Sequence, residues 1–199
     1  MILLYILEIL GTVAFAVSGA CVAIEKKMDI LGVAILGVTT AVGGGIIRDI
    51  LLGVTPPVAF REPIYGLIAV VVSLLVFLPA LRPISEKQNK LYFRIIDSIG
   101  LAVFTVIGVR AGMQHGNIYL AIFVGVVTGV GGGVMRDLFA GNKPYIFMKH
   151  FYACASIIGA VITAILWGFG ETVSMVIGAA IILTLRLLAA KFRWSLPKA

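Results

Sequence analysis

The sequence predicts an all-α polytopic membrane protein with seven transmembrane helices, arranged as two inverted three-helix repeats followed by a seventh helix. Three observations lead to this prediction. The chain is 61% apolar, has a mean hydropathy of +1.12 and contains one long apolar run after another. Its basic residues are concentrated in alternate loops. A glycine-rich motif at Gly43 returns at Gly131, 88 positions later.

The apolar runs predict the individual helices. A hydrocarbon core of about 30 Å needs about 20 apolar residues in a helix that crosses it. The first run has no basic segment before it and no cleavage motif after it, so we interpret it as a helix and not as a signal peptide. The expected spans are Ile2–Ile24, Ile30–Leu52, Pro63–Leu81, Leu91–Val109, Asn117–Ala140, Phe151–Phe169 and Thr172–Ala190.

The basic residues predict the orientation of these helices. Of the 16 lysines and arginines, only Arg48, Arg61 and Arg110 fall on the side opposite to the C-terminus. Because basic loops stay in the cytoplasm, we expect a cytoplasmic C-terminus and an outside N-terminus in the inner (plasma) membrane. Topology therefore accounts for the net charge of +7, and we expect membrane lipid but no nucleic acid as a partner.

The sequence contains no arrangement typical of catalysis or of metal binding. Cys21 and Cys154 lie singly in separate apolar spans, and His115 and His150 lie in loops. Neither the cysteines nor the histidines have the spacing of metal ligands, and no Ser/His/Asp set is present. We therefore expect no catalytic residues, no resident metal and no cofactor, and we predict that the protein is not an enzyme.

An internal duplication organises the chain. The pattern [DE]xxGxxxFxxxG begins at Glu8 in span one and at Asp97 in span four, while GGGxxRD begins at Gly43 in span two and at Gly131 in span five. Each unit has an odd number of spans, so the second copy must enter the membrane in the opposite direction. The expected division is 1–85 for the first three-helix repeat, 86–170 for the second, and 171–199 for the seventh helix and cytoplasmic tail.

The glycine triplets predict kinks in helices 2 and 5. Each glycine costs about 0.8–1 kcal/mol relative to alanine inside a helix, and interrupted helices in both halves of an inverted repeat are typical of a permeation path. The alternative is close helix packing, for which Gly125-x-x-x-Gly129-x-x-x-Gly133 offers a ridge of small residues. The predicted pore residues are the triplets Gly43, Gly44, Gly45, Gly131, Gly132 and Gly133.

Threonines precede both triplets. Thr39, Thr40 and Thr128 are placed to offer hydroxyls to water or ions in the same path. A helix threonine can instead donate its hydroxyl to a carbonyl in its own preceding turn. Both alternatives stay open from the sequence.

Each triplet is followed by an Arg-Asp step, Arg48-Asp49 in one helix and Arg136-Asp137 in the other. A charge inside a membrane requires a partner. Topology places Glu8 near Arg48 and Asp97 near Arg136, so we predict two repeat-related polar clusters that gate the two mouths. Arg94 competes for Asp97, and the alternative for the arginines and aspartates is that they snorkel to the interface. We expect Arg186, in the last span, to snorkel.

The doubled patterns [DE]xxGxxxFxxxG and GGGxxRDxxxG resemble the bacterial membrane-protein family that carries the glycine-transporter domain. That family is similar in architecture to the trimeric intracellular cation (TRIC) channels. The resemblance implies a homotrimer in which each protomer has its own pore past helices 2 and 5, and it implies passage of monovalent cations, chiefly potassium, with K⁺ or Na⁺ held transiently near the kinks. Animal TRIC channels carry a lysine motif that is absent beside these triplets, so phosphoinositide regulation is not implied.

Two functions from different classes therefore remain. One is a potassium-permeable channel, and the other is a transporter of glycine that uses the same midplane site. The carboxylate of glycine could bind the amide end of one half-helix, and its ammonium group could bind the freed carbonyls. A membrane scaffold without a pore is the third alternative, which the paired glycine triplets disfavour.

Overall fold

The computed structural model describes residues 2–78, 90–148, 151–192 and 194. Within these ranges the chain is helical, with short turns between helices, and a 3-10 turn at Leu166–Phe169 extends α8. The helices are α1 Ile2–Glu25, α2 Ile30–Leu51, α3 Val58–Arg61, α4 Ile64–Phe77, α5 Lys90–Met113, α6 Ile118–Phe139, α7 Tyr145–Met148, α8 Tyr152–Ile165 and α9 Glu171–Phe192.

Six of the described helices are long and apolar enough to cross a membrane, α8 being counted together with its 3-10 turn. They correspond to six of the seven expected spans, and the ends differ by a few residues. The remaining expected span, Pro63–Leu81, contains α4, which is apolar but only 14 residues long. Residues 79–81 of that span lie outside the described residues.

The helices form two bundles of three. The first contains α1, α2 and α4, and the second contains α5, α6 and α8, with α9 packed on α5 and α8. The bundles meet where α2 packs on α6 and α1 packs on α5. Large apolar side chains cover the outside of both bundles, as a surface in contact with lipid requires; they include Ile6, Leu10, Leu67, Phe123, Ile157 and Val176.

Matching residues cap α2 and α6. Asp29 and Asn117 each accept a hydrogen bond from the backbone N–H three residues later, at 2.7 and 3.1 Å. Both helices end before a glycine with positive φ, Gly53 at 71° and Gly141 at 67°. Because a side chain is strained at such angles, glycine is the residue that lets the chain turn away from each helix end.

The glycine triplets do not interrupt their helices. Both α2 and α6 are α-helical throughout, so the helix is not interrupted at either triplet. The kink expected in each helix stays a prediction. Lipid offers no hydrogen-bond partner for a backbone N–H or C=O group that a break would free. The continuous backbone hydrogen bonding of α2 and α6 avoids this cost.

The triplets instead let α2 and α6 cross closely. A Cβ added at Gly44 would collide with the carbonyl oxygen of Thr128, and one added at Gly132 would collide with the carbonyl oxygen of Thr40. These reciprocal contacts run in opposite directions along the two helices, so α2 and α6 are antiparallel. The middle glycine of each triplet therefore packs on the backbone of the facing helix. Of the ridge expected for packing, Gly125 and Gly129 face α5, whereas Gly133 faces the Tyr152 hydroxyl.

Candidate functional site

The three glycines of each triplet face different surroundings. A Cβ at the first one, Gly43, would collide with the Met135 side chain of α6. The second one, Gly44, faces the backbone of α6 where the two helices cross. The third one, Gly45, faces its own arginine, since an added Cβ would lie 3.8 Å from a guanidinium nitrogen of Arg48. A Cβ added at its counterpart Gly133 would lie 3.3 Å from the Tyr152 hydroxyl oxygen. The third glycines therefore look towards polar groups and not into the crossing.

A cavity of about 50 Å³ lies at the end of α2. Glu8, Arg48, Asp49 and Tyr65, which we call the Glu8 cluster, line it together with Gly45. Arg48 forms an ion pair with Asp49 at 2.7 Å, and the Tyr65 hydroxyl donates a hydrogen bond to the Glu8 carboxylate. The Arg48 side chain is 12% exposed, compared with 1% for Arg136 at the other end.

A second cavity, of about 380 Å³, lies at the end of α6. Because α2 and α6 are antiparallel, it is at the opposite end of the crossing from the first cavity. Arg136, Asp137 and Tyr145 line it, with Glu25 and Lys143. The Arg-Asp steps of the two repeats thus each face a cavity at their own end of the molecule.

Arg136 organises the second end. Its guanidinium lies 2.5 Å from the Asp97 carboxylate, 2.9 Å from Asp137 and 2.6 Å from the Ser18 hydroxyl. The side chains of Arg136 and Asp97 are only 1% and 2% exposed. We call Asp97, Arg136, Asp137 and Tyr152 the Asp97 cluster. In this network the single guanidinium of Arg136 lies between two carboxylates, those of Asp97 and Asp137.

Two phenylalanines lie between the two ends. The rings of Phe15 and Phe104 are 5.2 Å apart. Phe15 packs on Gly100, and Phe104 packs on Gly11, so each ring occupies the space that a glycine of the other bundle leaves free. Phe15 also touches Gly132 at the crossing. The phenylalanines and the middle glycines together close the centre of the molecule.

The structure brings one of the two expected acid–arginine pairs into contact. Asp97 pairs with Arg136, and its described partners do not include Arg94. Glu8 and Arg48 do not pair, although both line the first cavity, because Tyr65 is bonded to Glu8 and Asp49 to Arg48. The gating role of both clusters stays a prediction.

The two aspartates of the Arg-Asp steps also organise the backbone. Asp49 accepts a hydrogen bond from the N–H of Val58, the first residue of α3, at 2.8 Å. Asp137 accepts the equivalent bond from the N–H of Tyr145, the first residue of α7, at 2.7 Å. Each aspartate therefore ties its arginine to the short helix that follows, which snorkelling to the interface would not do.

The threonine hydroxyls do not face the cavities. Thr39, Thr40 and Thr128 each donate to the carbonyl four residues earlier, at 2.7, 2.6 and 2.6 Å. Thr40 and Thr128 are completely buried. All three hydroxyls thus make the bond within their own helix that was the second alternative, and a role of these threonines in the path stays a prediction.

Arg186 is placed differently from the expectation. It does not snorkel: it is 1% exposed, and its guanidinium carbon lies 4.5 Å from the ring centre of Tyr152 and 5.9 Å from that of Tyr145. The two aromatic faces replace water around the cation. A lone arginine near the end of an apolar span looks the same in sequence whether it is buried or at the interface.

The places of Tyr65, Tyr152 and Ser18 in the two clusters were not expected from the sequence. Tyr65 and Tyr152 occupy nearly corresponding places in the two repeats, 87 positions apart, and this spacing was the available signal. Phe15 and Phe104 belong to the repeated pattern, which marked the duplication without indicating that their rings meet. Ser18 has no counterpart in the second repeat, where Ile107 stands instead.

Comparison with known proteins places the chain in a family. A family model described as Glycine transporter matches residues 5–80 and 94–168, once in each repeat. The UPF0126 inner membrane protein YadS of Escherichia coli K12 is 40% identical over 200 residues, which are 98% of this chain and 95% of YadS.

Solved structures of channels have the same fold. A structure that explains conductance through TRIC cation channels is 38% identical, with a TM-score of 0.88 over 98% of this chain and 96% of its own. A TRIC trimeric intracellular cation channel orthologue from Rhodobacter sphaeroides is 33% identical, with a TM-score of 0.90 over 96% and 99%. These matches are to channel proteins, in agreement with the expectation that the chain is not an enzyme. The chain belongs to the Glycine transporter family of membrane proteins and is a TRIC-type homologue.

Proposed function

We propose that the protein is a potassium-permeable cation channel with a pore in each protomer. The observation that carries this proposal is the pair of cavities at opposite ends of the α2/α6 crossing, each facing an Arg-Asp step. The similarity to TRIC cation channels supports the same function. A path that joins the cavities passes the third glycines, the middle glycines and the Phe15–Phe104 pair.

The charges of the first cavity favour cations. It contains the carboxylates of Glu8 and Asp49 against the single guanidinium of Arg48. An excess of acidic side chains at a pore mouth raises the local concentration of cations and repels anions. Glu8 is bonded to a neutral tyrosine and not to an arginine, so its charge is available to an approaching ion.

The Asp97 cluster is the closed end of this path. Arg136 lines the second cavity and forms an ion pair with Asp97, and both side chains are nearly inaccessible to water. Conduction requires this cluster to separate while the protein supplies other partners for its charges. The glycine triplets provide the flexibility, and bending of α2 and α6 at these points accompanies opening.

The assembly and orientation follow from the same proposal. We expect a homotrimer in lipid, with the N-terminus and the Glu8 cluster outside and the C-terminus and the Asp97 cluster in the cytoplasm. The functional division is 1–85, 86–170 and 171–199. Glycine transport is not favoured: an intact helix offers no pair of half-helix ends for a zwitterion, and the solved relatives are cation channels.

Flux into liposomes tests the proposal. Purified protein is reconstituted into vesicles that contain 150 mM K⁺, about physiological ionic strength, and an electrogenic efflux of K⁺ is followed with a voltage-sensitive dye. The channel predicts K⁺ efflux that does not depend on glycine. Saturable counterflow of labelled glycine without K⁺ efflux would replace the channel by the transporter. Arg48→Ala and Arg136→Ala are each expected to change the K⁺ flux, and unchanged flux in both would contradict the gating role.

A further inference from the structure

The duplication gives both ends of the α2/α6 crossing the same set of charges, one arginine and two carboxylates. They are Arg48 with Glu8 and Asp49 at the first end, and Arg136 with Asp97 and Asp137 at the second. Glu25 and Lys143, which also line the second cavity, add one charge of each sign. Each duplicated set therefore carries one surplus negative charge.

This surplus charge is buried at the second end. The side chains of Arg136, Asp97 and Asp137 are 1%, 2% and 7% exposed. A carboxylate that is removed from water without a balancing cation is strongly unfavourable. The second end therefore requires a positive charge from outside the duplicated set.

Arg186 of α9 supplies a positive charge at this place. The helix follows the second repeat, has no counterpart in the first and packs on α5 and α8. Arg186 is almost completely buried, and its guanidinium carbon lies 4.5 Å from the ring centre of Tyr152. The same tyrosine interacts electrostatically with Asp97 and Arg136. One tyrosine side chain thus separates Arg186 from the Asp97 cluster, and charges this deep in a protein are weakly screened.

We propose that Arg186 is the counter-charge of the Asp97 cluster and that it makes the second end of the path electrically neutral. The first end keeps its surplus negative charge, because α9 has no counterpart there. This inference rests on the proposed channel function and deepens it. A negatively charged mouth concentrates cations, so K⁺ should pass more readily from the first cavity to the second than in the opposite direction.

Single-channel recording of the full chain tests the effect on conduction. Currents at equal and opposite voltages are compared in symmetric KCl of about 0.01 M, where the Debye length is about 30 Å. The larger wild-type current should exceed the smaller one. Arg186→Met removes the charge and keeps a long side chain, so it should raise the smaller current roughly two- to tenfold and bring the ratio close to one.

Three controls separate charge from packing. Arg186→Lys keeps the charge and should keep the wild-type current ratio. Lys191→Met makes the same change in formal charge at an exposed position of α9, and it should also keep that ratio. In about 1 M KCl, where the Debye length is about 3 Å, the difference between Arg186→Met and the wild type should disappear. A conducting wild type whose low-salt ratio is unchanged in Arg186→Met would overturn the proposal.

Thermal unfolding in detergent tests the counter-charge independently of conduction. Arg186→Met leaves one surplus negative charge in the cluster, Asp97→Asn leaves one surplus positive charge, and the double variant leaves none. The decrease of the unfolding midpoint in the double variant should therefore be smaller than the sum of the two single decreases, whereas Lys191→Met with Asp97→Asn should be additive. Additive decreases for Arg186→Met with Asp97→Asn would overturn the counter-charge. Silent bilayers with non-additive decreases would overturn the channel function alone.

Discussion

Arg136 and Asp97 form an ion pair that the protein almost completely encloses, with side chains 1% and 2% exposed. Removal of one member of such a pair leaves a charge where water cannot reach it. Asp97→Asn should therefore lower the free energy of unfolding by about 3 kcal/mol or more, and it should lengthen the open time because Arg136 is held less firmly. Thermal or denaturant unfolding in detergent and single-channel recording measure the two effects.

The control for this prediction is the ion pair of Arg110 with Glu171. Its N–O distance is also 2.5 Å, but the side chains are 26% and 47% exposed. Glu171→Gln should cost less than about 1 kcal/mol, and it should leave gating unchanged. Equal losses in the two variants would show that the burial of Arg136 and Asp97 has no energetic consequence.

The middle glycines should be the least tolerant positions of the triplets. In Gly44→Ala and Gly132→Ala the new methyl group meets a backbone carbonyl of the facing helix, which cannot move aside as a side chain can. Each variant should lose about 1–3 kcal/mol of stability, seen as a lower unfolding midpoint. Gly66→Ala is the control, since a Cβ there meets nothing within 4 Å; it should be neutral or slightly stabilising.

The third glycine should affect conduction and not folding. In Gly45→Ala the methyl group lies 3.8 Å from Arg48, an ordinary contact, and it projects into the first cavity. The unfolding midpoint should stay within the error of the wild-type value, while the unitary conductance falls. A variant that is destabilised as much as Gly44→Ala would show that the third position is also a packing position.

The aromatic pair should set the width of the centre. Phe104→Leu keeps an apolar side chain but removes the ring that meets Phe15 at 5.2 Å, so the unitary conductance should rise. Phe123→Leu serves as the control, because Phe123 is 58% exposed on the outer surface of α6. Conductance that is the same in both variants would place the narrowest point of the path elsewhere.

The spans and the duplication could be predicted from the sequence because each depends on a pattern within the chain. An apolar run has to be about 20 residues long to cross a membrane. The Gly43 and Gly131 motifs match residue by residue, so they show directly how the two repeats align. The contact of Asp97 with Arg136 followed from the same symmetry. The symmetry failed for Glu8 and Arg48, because the motifs do not include Tyr65, which donates a hydrogen bond to Glu8. They also leave open position 107, where isoleucine corresponds to Ser18 of the first repeat.

The effect of the glycines could not be predicted from helix propensity. Propensity measures the cost of glycine in an isolated helix, whereas the close approach of α2 and α6 supplies a gain that only the fold contains. Arg186 illustrates the same limit, since its burial depends on Tyr145 and Tyr152 from two other helices. Contacts between helices distant in sequence decided both outcomes.

The proposed cation path, which joins the two cavities through each protomer, is best tested by recording unitary currents. Wild-type protein and Gly45→Ala are compared in planar bilayers under a KCl gradient. We expect discrete currents whose reversal potential follows the K⁺ gradient, with a smaller amplitude in Gly45→Ala. Bilayers that stay silent, or currents whose reversal potential follows chloride, would contradict it.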